Sequence, residues 1–437
     1  MKKILFVLCL FCAIQLTAQT EKEKEKFLSK IADSDQAIAD PKKGTEAKTW
    51  ISRAEIFTNI YDTPRKSLLP GMAALQVRFA ITNEKAKTDI REVNSTDYEV
   101  MMFDGRDLYF NEQGQLAFWD IKDKVVDYPL VKAYEAYVKA SELDAKNSHT
   151  KKIKAGLTDI SGKMNTEASF AYNLQKYDVA LTYFETSLAC SSHPTIGIID
   201  SLVIYNTAFV ARLAGNNDKA LEYFEKSINI GFYQDGFAYA NYATILRSKG
   251  NITEAKDILS KAFVKFPKNQ GILTGLIDLY LNDDEGGNIS EVLPYIKQAQ
   301  DNEPYNAVLY YAEGVVYQNL NNEEKMMECF NKAVELDPNN YGYQYSIGAS
   351  FYNRAVDIQN KMNEIDFSSQ EEYDKMLNEM LAEFKKAIPY FTKAYELMPT
   401  DRDIVGSLRS IYYRFQEESP EMMEKFEFFK NLSDSME

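Results

Sequence analysis

The chain has 437 residues, of which 45% are hydrophobic and 26% charged, with only 12 prolines and 19 glycines. This composition excludes a disordered chain, disfavours a β-sandwich and favours long helices joined by short turns. The formal net charge of −15 argues against non-specific binding to nucleic acid or anionic lipid, because an acidic surface repels phosphate groups.

The N-terminus has the pattern of a secretory signal peptide. Lys2 and Lys3 precede the apolar stretch ILFVLCLFCAI, and the polar segment QLTAQT follows it. The apolar stretch is short for a membrane span, so we expect cleavage within Ala18–Thr20 and a soluble, exported mature protein. The cysteines in this stretch do not follow small residues, which disfavours a lipoprotein signal.

A first helix is predicted over 47–60. Trp50, Ala54 and Phe57 would share one of its faces, since they recur at helical spacing. Pro64 and later turn residues end this pattern.

The region 61–128 is irregular and is predicted to be an insertion between two helices that would otherwise pair. Residues 73–81 fit either a helix or a strand. Residues 107–120 predict a β-hairpin around Gln113-Gly114. Long insertions in repeat arrays often carry binding functions. Four aromatic residues lie beside the predicted hairpin: Tyr109, Phe110, Phe118 and Trp119.

From residue 130 a stripe recurs seven times. A small or apolar residue is followed by a large one four positions later and a small one three positions beyond, which places all three on one helical face. The triplets are Ala133/Tyr137/Ala140, Ala180/Phe184/Ser187, Ala220/Phe224/Ser227, Ala255/Leu259/Ala262, Val292/Ile296/Ala299, Met326/Phe330/Ala333 and Ala387/Phe391/Ala394. Four triplets end with a proline past the helix: Pro267, Pro304, Pro338 and Pro399.

These stripes resemble the tetratricopeptide repeat (TPR), a helix–turn–helix unit of about 34 residues. The preceding helices fit too, with pairs such as Ala208/Ala211, Ala243/Leu246, Gly314/Tyr317 and Gly348/Phe351 at the family's small and large positions. The chain looks like an exported TPR protein of the kind found in Bacteroidetes-like Gram-negative bacteria. The resemblance implies an all-α fold, a right-handed superhelical solenoid of antiparallel helix pairs with an irregular N-terminal insertion.

We therefore divide the chain into four parts. They are a signal peptide (1–19), N-terminal helices with the insertion (20–129), an array of about seven repeats (130–400) and C-terminal capping helices (401–437). Within the array, the long step before the last repeat predicts two extended helices at about 352–386.

No pattern in the sequence indicates catalysis or a bound cofactor or metal. The only histidines are His149 and His193, and neither has a cysteine or histidine at metal-ligand spacing. The acidic turn at 283–287 does not match a calcium loop. Cys190 and Cys329 lie several repeats apart, so we expect buried thiols and no disulfide.

The TPR resemblance implies a concave groove lined by the first helix of each repeat. Arg212 and Arg247 occupy equivalent places and could form a cationic ladder for a carboxylate or an acidic peptide side chain. The alternative is that each arginine pairs with a neighbouring acid and that the tyrosines only pack. The positions predicted to face the groove are Asn173, Tyr205, Arg212, Asn241, Arg247, Tyr311, Tyr345 and Tyr352.

The sequence favours a non-catalytic, exported scaffold, periplasmic rather than surface-bound or secreted, that binds a protein or extended peptide in this groove. The partner's identity stays open, and we expect no nucleic acid and no membrane span in the mature chain. The lysine-rich carboxylate clamp of chaperone-binding TPR proteins is absent from the pattern.

The alternative is a glycan-binding component of an envelope uptake system, which predicts solvent-facing, coplanar aromatic rings near 109–119. Peptide binding predicts unpaired arginines in the groove, and an enzyme would need converging acids in a closed pocket.

Overall fold

The computed structural model describes residues 2–81, 85–282, 287–365 and 369–436, with side chains from Glu21 onward except that of Asn282. Residues 283–286, which carry most of the acidic turn, and 366–368, between the two long helices, lie outside the described residues. The chain divides into two compact units, Met1–Gln234 and Asp235–Glu437.

The first unit contains most of the irregular region and the first repeats. Its helices are α1 (Lys2–Ala39), α2 (Ala47–Asp62), α3 (Ala74–Ala80), α4 (Pro129–Leu143), α5 (Thr150–Asn173), α6 (Tyr177–Ser192), α7 (Ser201–Leu213) and α8 (Asn217–Asn229). Its strands are β1 (Lys87–Val93), β2 (Thr96–Phe103), β3 (Arg106–Phe110) and β4 (Leu116–Ile121).

All regular secondary structure among the described residues of the second unit is helical. Its helices are α9 (Phe237–Ser248), α10 (Ile252–Lys265), α11 (Gln270–Asn282), α12 (Leu293–Asn302), α13 (Ala307–Asn319), α14 (Glu323–Leu336), α15 (Tyr341–Glu364), α16 (Gln370–Leu397), α17 (Arg402–Phe415) and α18 (Pro420–Ser435).

Successive helices pack as antiparallel pairs. In the first unit α5 packs with α6 and α7 with α8, and in the second unit α9 packs with α10 and α13 with α14. Helices α15 and α16, of 24 and 28 residues, form a pair about twice as long as α13 and α14. Helices α17 and α18 pair at the C-terminal end of the chain.

The stripe predicted from the sequence is the buried face of the second helices. All residues of the seven triplets are at most 6% exposed. The first helix approaches this stripe through small residues, since a Cβ added to Gly314 would lie 2.4 Å from Phe330 and one added to Gly348 would lie 3.0 Å from Phe391. Small residues thus allow the backbone of one helix to touch the aromatic ring of the next.

The helix pair α2–α4 forms across the insertion, as predicted from the sequence. Ala54 and Phe57 of α2 are buried, and the indole Nε1 of Trp50 donates a hydrogen bond to the carbonyl of Gly44 at 2.8 Å. The insertion therefore leaves the helical packing on either side of it intact.

The insertion folds into an antiparallel sheet with strand order β1-β2-β3-β4. The predicted hairpin is confirmed, because β3 pairs with β4 in the register Tyr109–Phe118. Residues 74–80, which fitted helix or strand, are helix α3. Strands β1 and β2 were not predicted.

The expected state of the cysteines agrees with the structure, since Cys190 and Cys329 are both free and buried. Burial raises the pKa of each thiol to about 12. No group of three or more potential metal ligands occurs among the described side chains. In the part of the chain that the structure describes, no helix is both long and apolar enough to span a membrane.

Candidate functional site

Among the predicted site residues, Arg212 is the one best placed to bind an anionic ligand. It lies in the last turn of α7. Asp200 caps the start of this helix, since its carboxylate accepts a hydrogen bond from the amide of Val203 at 3.0 Å. The Nε atom of Arg212 is buried without a hydrogen-bond partner, and no described carboxylate forms an ion pair with the guanidinium. A cation in this state can still accept an anionic partner.

One aromatic ring lies beside this guanidinium, and further rings extend from it. Its Cζ lies 5.6 Å from the ring centroid of Phe209, one helical turn earlier. Phe209 stacks with Tyr205 at 6.5 Å and contacts Tyr172 of α5 at 6.2 Å, and Tyr172 contacts Tyr177 of α6 at 6.1 Å. We call these five residues the Arg212 surface.

All members of the Arg212 surface are partly exposed. Burial raises the pKa of Tyr205, and the positive charge of Arg212 opposes that shift. The surface therefore joins one partly desolvated cation to apolar rings, which suits a ligand that carries a carboxylate beside an apolar group.

Arg247, the predicted second member of a cationic ladder, is in a different state. Its Nη1 lies 3.8 Å from a carboxylate oxygen of Asp278, which belongs to α11. Peptide binding predicts unpaired arginines, and Arg247 instead follows the alternative, because the next first helix supplies an acid beside it. Arg212 and Arg247 also belong to different units.

Both predicted asparagines take part in hydrogen bonds within the protein. The backbone carbonyl of Asn173 accepts a hydrogen bond from Nδ2 of Asn94, at the β1–β2 turn, at 3.0 Å. The side-chain amide of Asn241 donates to the carbonyl of Phe237 within its own helix at 2.8 Å. Neither contact removes the residue from solvent completely.

The remaining predicted tyrosines are partly buried in the second unit. Tyr311 stacks on Phe330 at 5.4 Å and accepts a hydrogen bond from Ser346 at 3.2 Å. Tyr345 contacts Phe391 at 5.6 Å, and burial raises the pKa of its hydroxyl. These rings fill space between helices and leave only part of their surface to a ligand.

Tyr352 follows the same pattern on α15. Its ring contacts Phe384 at 5.2 Å, and its hydroxyl lies 2.9 Å from the hydroxyl of Ser410 on α17. The packing alternative considered for the tyrosines therefore accounts for much of the geometry of Tyr311, Tyr345 and Tyr352.

The aromatic platform expected for glycan binding is absent from residues 109–119. Tyr109, Phe110, Phe118 and Trp119 are each at most 5% exposed. Tyr109 and Phe118 do stack, with centroids 4.5 Å apart, but they do so inside the core of the sheet. These rings pack in one core together with residues of helix α3 and of the end of α5.

The insertion is fastened to α5 by a buried carboxylate. Oε1 of Glu167 accepts hydrogen bonds from Nε1 of Trp119 at 2.8 Å, Nε of Arg65 at 2.9 Å and the hydroxyl of Tyr61 at 3.0 Å. Burial and the charge of Glu167 raise the pKa of Tyr61. Because Tyr61 ends α2 and Trp119 lies on β4, this junction joins three parts of the first unit.

Sequence reasoning missed Phe209, Tyr172 and Tyr177 as neighbours of Arg212. Phe209 could have been found, because it precedes Arg212 by three residues and so shares its helical face. Tyr172 and Tyr177 flank the turn between α5 and α6, and only the packing of α7 against α6 brings that turn close to Arg212.

Comparison with known proteins supports the repeat assignment. A family model described as "Tetratricopeptide repeat" matches residues 307–340, which are the helices α13 and α14 with their closing proline. The chain carries a tetratricopeptide repeat. None of the curated proteins compared with the chain matches it.

Several solved structures are similar to parts of this chain. The C-terminal part of a TPR repeat-containing protein from Cytophaga hutchinsonii is 15% identical, with a TM-score of 0.42 over 62% of this chain and 94% of that one. A TPR repeats protein from Bacteroides fragilis NCTC 9343 is 23% identical, with a TM-score of 0.28 over 58% and 98%. YrrB, described as a TPR protein with an unusual peptide-binding site, is 20% identical, with a TM-score of 0.31 over 47% and 94%.

Proposed function

We propose that this TPR protein is a non-catalytic, exported scaffold that binds an extended segment of a partner protein at the Arg212 surface. The observation that carries the proposal is the guanidinium of Arg212, which has a buried Nε without a partner and no ion pair among the described residues. The surface offers one cation and several aromatic rings. Such groups bind a ligand but do not by themselves catalyse a reaction.

The surface favours a particular kind of segment. A carboxylate would bind the free side of the guanidinium, and an apolar or aromatic side chain next to it would pack on Phe209 and Tyr205. Rings of this kind give contact area at a low cost in conformational entropy. The protein has a net charge of −15, and a partly desolvated cation without a counter-ion favours an acidic ligand.

The test uses an immobilised library of short peptides, each made with a C-terminal acid and with a C-terminal amide. We expect the wild-type protein to select peptides with a carboxylate beside an apolar residue. Arg212→Ala should weaken binding to the selected peptides about 10–100-fold, since a hydrogen bond to a charged group contributes about 1.5–3 kcal/mol. Arg212→Lys should be intermediate, because it keeps the charge and loses the planar donor pair.

Arg247→Ala is the matched control, because it removes the same side chain from an equivalent helix position where Asp278 already pairs with it. The control should leave peptide affinity within about twofold, the size expected for a rim charge. Equal losses in Arg212→Ala and Arg247→Ala, or no loss in either, would contradict binding at the Arg212 surface.

We propose export to the periplasm on the basis of the segment 1–19, with its two lysines and short apolar stretch. N-terminal sequencing of the protein from fractionated cells is the test. We expect a mature N-terminus within residues 18–20 in the periplasmic fraction. An intact N-terminus in the cytoplasmic fraction would overturn this part of the proposal.

A further inference from the structure

Strand β1 forms one edge of the sheet in the insertion. The sheet order is β1-β2-β3-β4, and no strand in the described part of the chain pairs with the outer side of β1. Thr88, Ile90 and Glu92 are exposed on this strand, and Ile90 has 70% of its surface accessible. An edge with unpaired backbone groups can accept another strand.

The turn that follows β1 determines which backbone groups face outward. Asn94 and Ser95 both have positive φ, 52° and 60°, which defines a two-residue turn of type I′. The flanking pair Val93–Thr96 is then the hydrogen-bonded kind, and the two kinds alternate along an antiparallel ladder.

Because the pairs alternate from Val93 towards the start of the strand, the amides and carbonyls of Arg91 and Asp89 face β2. Those of Thr88, Ile90 and Glu92 face outward. One contact supports this assignment directly, because the amide of Ile90 donates to the carboxylate of Asp89 at 2.9 Å. Its hydrogen bond is thus made by a side chain that can move away.

We propose that β1 pairs in antiparallel fashion with β1 of a second copy of this chain, about a two-fold axis at Ile90. In this register Ile90 meets Ile90 of the second copy in a hydrogen-bonded pair, and Thr88 meets Glu92 on either side. The charge pattern favours a second copy as the occupant, because Asp89 of each copy then lies opposite Arg91 of the other. These two pairs are of the non-hydrogen-bonded kind, in which side chains come closest.

The charges also disfavour the two neighbouring axes. An axis at Asp89 would place two carboxylates opposite each other, and an axis at Arg91 would place two guanidinium groups opposite each other, which is destabilising. Both shifted axes would also centre the pairing on residues whose backbone groups already bond to β2.

Arg91 is held in a suitable position for this contact. Its Nη1 donates to the buried carboxylate of Asp107 at 2.8 Å, while its Nε lies 3.9 Å from Asp89 of the same strand. Asp107 therefore anchors one side of the guanidinium, and the side now near Asp89 can accept Asp89 of the second copy. Pairing of this size buries little area, so we expect a weak, concentration-dependent dimer.

The experiment is sedimentation of the full chain over a wide concentration range, with three variants. Ile90→Pro removes the outward amide and leaves the bonds between β1 and β2 in place, as proline is tolerated at sheet edges. Asp89→Arg puts like charges opposite each other. Ile199→Ser is the control, because Ile199 is also 70% exposed but lies outside the sheet.

We expect the wild type and Ile199→Ser to dimerise alike, and Ile90→Pro and Asp89→Arg to raise the dissociation constant at least about tenfold, the effect of 1.4 kcal/mol. Thermal unfolding identifies any variant that fails to fold, and Asp89→Arg keeps the test valid if Ile90→Pro does not fold. A wild type that stays monomeric at every concentration, or a dimer unchanged in both edge variants, overturns the proposal. Hydrogen exchange of the β1 amides is a second measurement. Protection that appears only after addition of the cell's own envelope extract would also overturn the proposal and favour an extended peptide as occupant.

Discussion

Glu167 accepts a hydrogen bond from the indole of Trp119 at 2.8 Å, and this contact joins the inserted sheet to helix α5. The same carboxylate oxygen accepts hydrogen bonds from Tyr61, near the end of α2, and from Arg65, just after this helix. One residue thus connects elements that the sequence separates by about a hundred positions.

We predict that Glu167→Ala destabilises the protein by about 3–5 kcal/mol, because it leaves the largely buried guanidinium of Arg65 without its carboxylate partner. Both side chains of that pair are only 12% exposed. Glu167→Gln should lose less, since it keeps an oxygen acceptor in place. Urea unfolding followed by tryptophan fluorescence measures both variants, and a loss below about 1 kcal/mol for Glu167→Ala would show that the junction is not a major source of stability.

Gly314→Ala should destabilise the repeat at 307–340. A Cβ at this position would lie 2.4 Å from the ring of Phe330, and such overpacking costs about 1–3 kcal/mol. The loss occurs although alanine is the better helix former.

Gly406→Ala is the matched control for this prediction. Gly406 also lies within a helix, but an added Cβ would meet no atom within 4 Å. This variant should be neutral or more stable by up to about 1 kcal/mol. Opposite signs for Gly314→Ala and Gly406→Ala in the same denaturation assay are the expected result, and equal signs would contradict close contact at Gly314.

Cys190 and Cys329 should resist alkylation in the folded protein. With a pKa raised to about 12, each thiol is ionised in about one molecule in 10⁴ at pH 8. Iodoacetamide labelling of the full chain, mapped by mass spectrometry, should modify these two cysteines only after denaturant is added. Rapid labelling of either one in native buffer would show that it is accessible.

The start of α5 should lose stability in acid. Burial acts to raise the pKa of Asp144, but hydrogen bonds from the amides of His149 and Ser148 and from the hydroxyl of Thr150 outweigh it and lower the pKa. A lowered pKa means that the stabilisation is complete above the ordinary carboxyl pKa and is lost as pH falls through the folded-state value.

Asp144→Ala should therefore be less stable than the wild type at neutral pH, and the difference should shrink below about pH 4. Asp144→Asn keeps an accepting oxygen and should show an intermediate stability with a weaker pH dependence. Thermal melts from pH 7 to pH 3, read by circular dichroism, test this, and a difference that grows towards low pH would contradict it.

The helices were predictable because each repeat packs its two helices in the same way, so the same spacing of small and large residues recurs in the sequence. Ala133 and Phe391 belong to different repeats, yet both lie on the buried stripe that the sequence indicates. The hairpin of β3 and β4 was also predictable, because turn residues separate two aromatic-rich runs.

Strand β1 escaped prediction for a physical reason. Its residues KTDIREV are mostly exposed on both faces, so no alternation of apolar and polar residues marks a strand. Pairing with β2 through the Asn94–Ser95 turn, together with the ion pair between Arg91 and Asp107, holds it in the sheet.

The candidate site was predictable only in part. Helical spacing placed Arg212 and Arg247 at equivalent positions, but their electrostatic environments depend on partners from other helices. Asp278 reaches Arg247 from α11, and no described acid reaches Arg212. Spacing within one helix carries no information about either outcome.

The pairing of α2 with α4 has a consequence for the order of assembly. Other helix pairs form across short turns, whereas this pair must close over residues 63–128, at an entropic cost of about 3–4 kcal/mol for a loop of that length. Contacts between distant segments form late in folding and are readily lost in partial opening. The N-terminal pair is thus the part of the first unit whose amides should exchange with solvent earliest, while the short-turn repeats that follow remain closed.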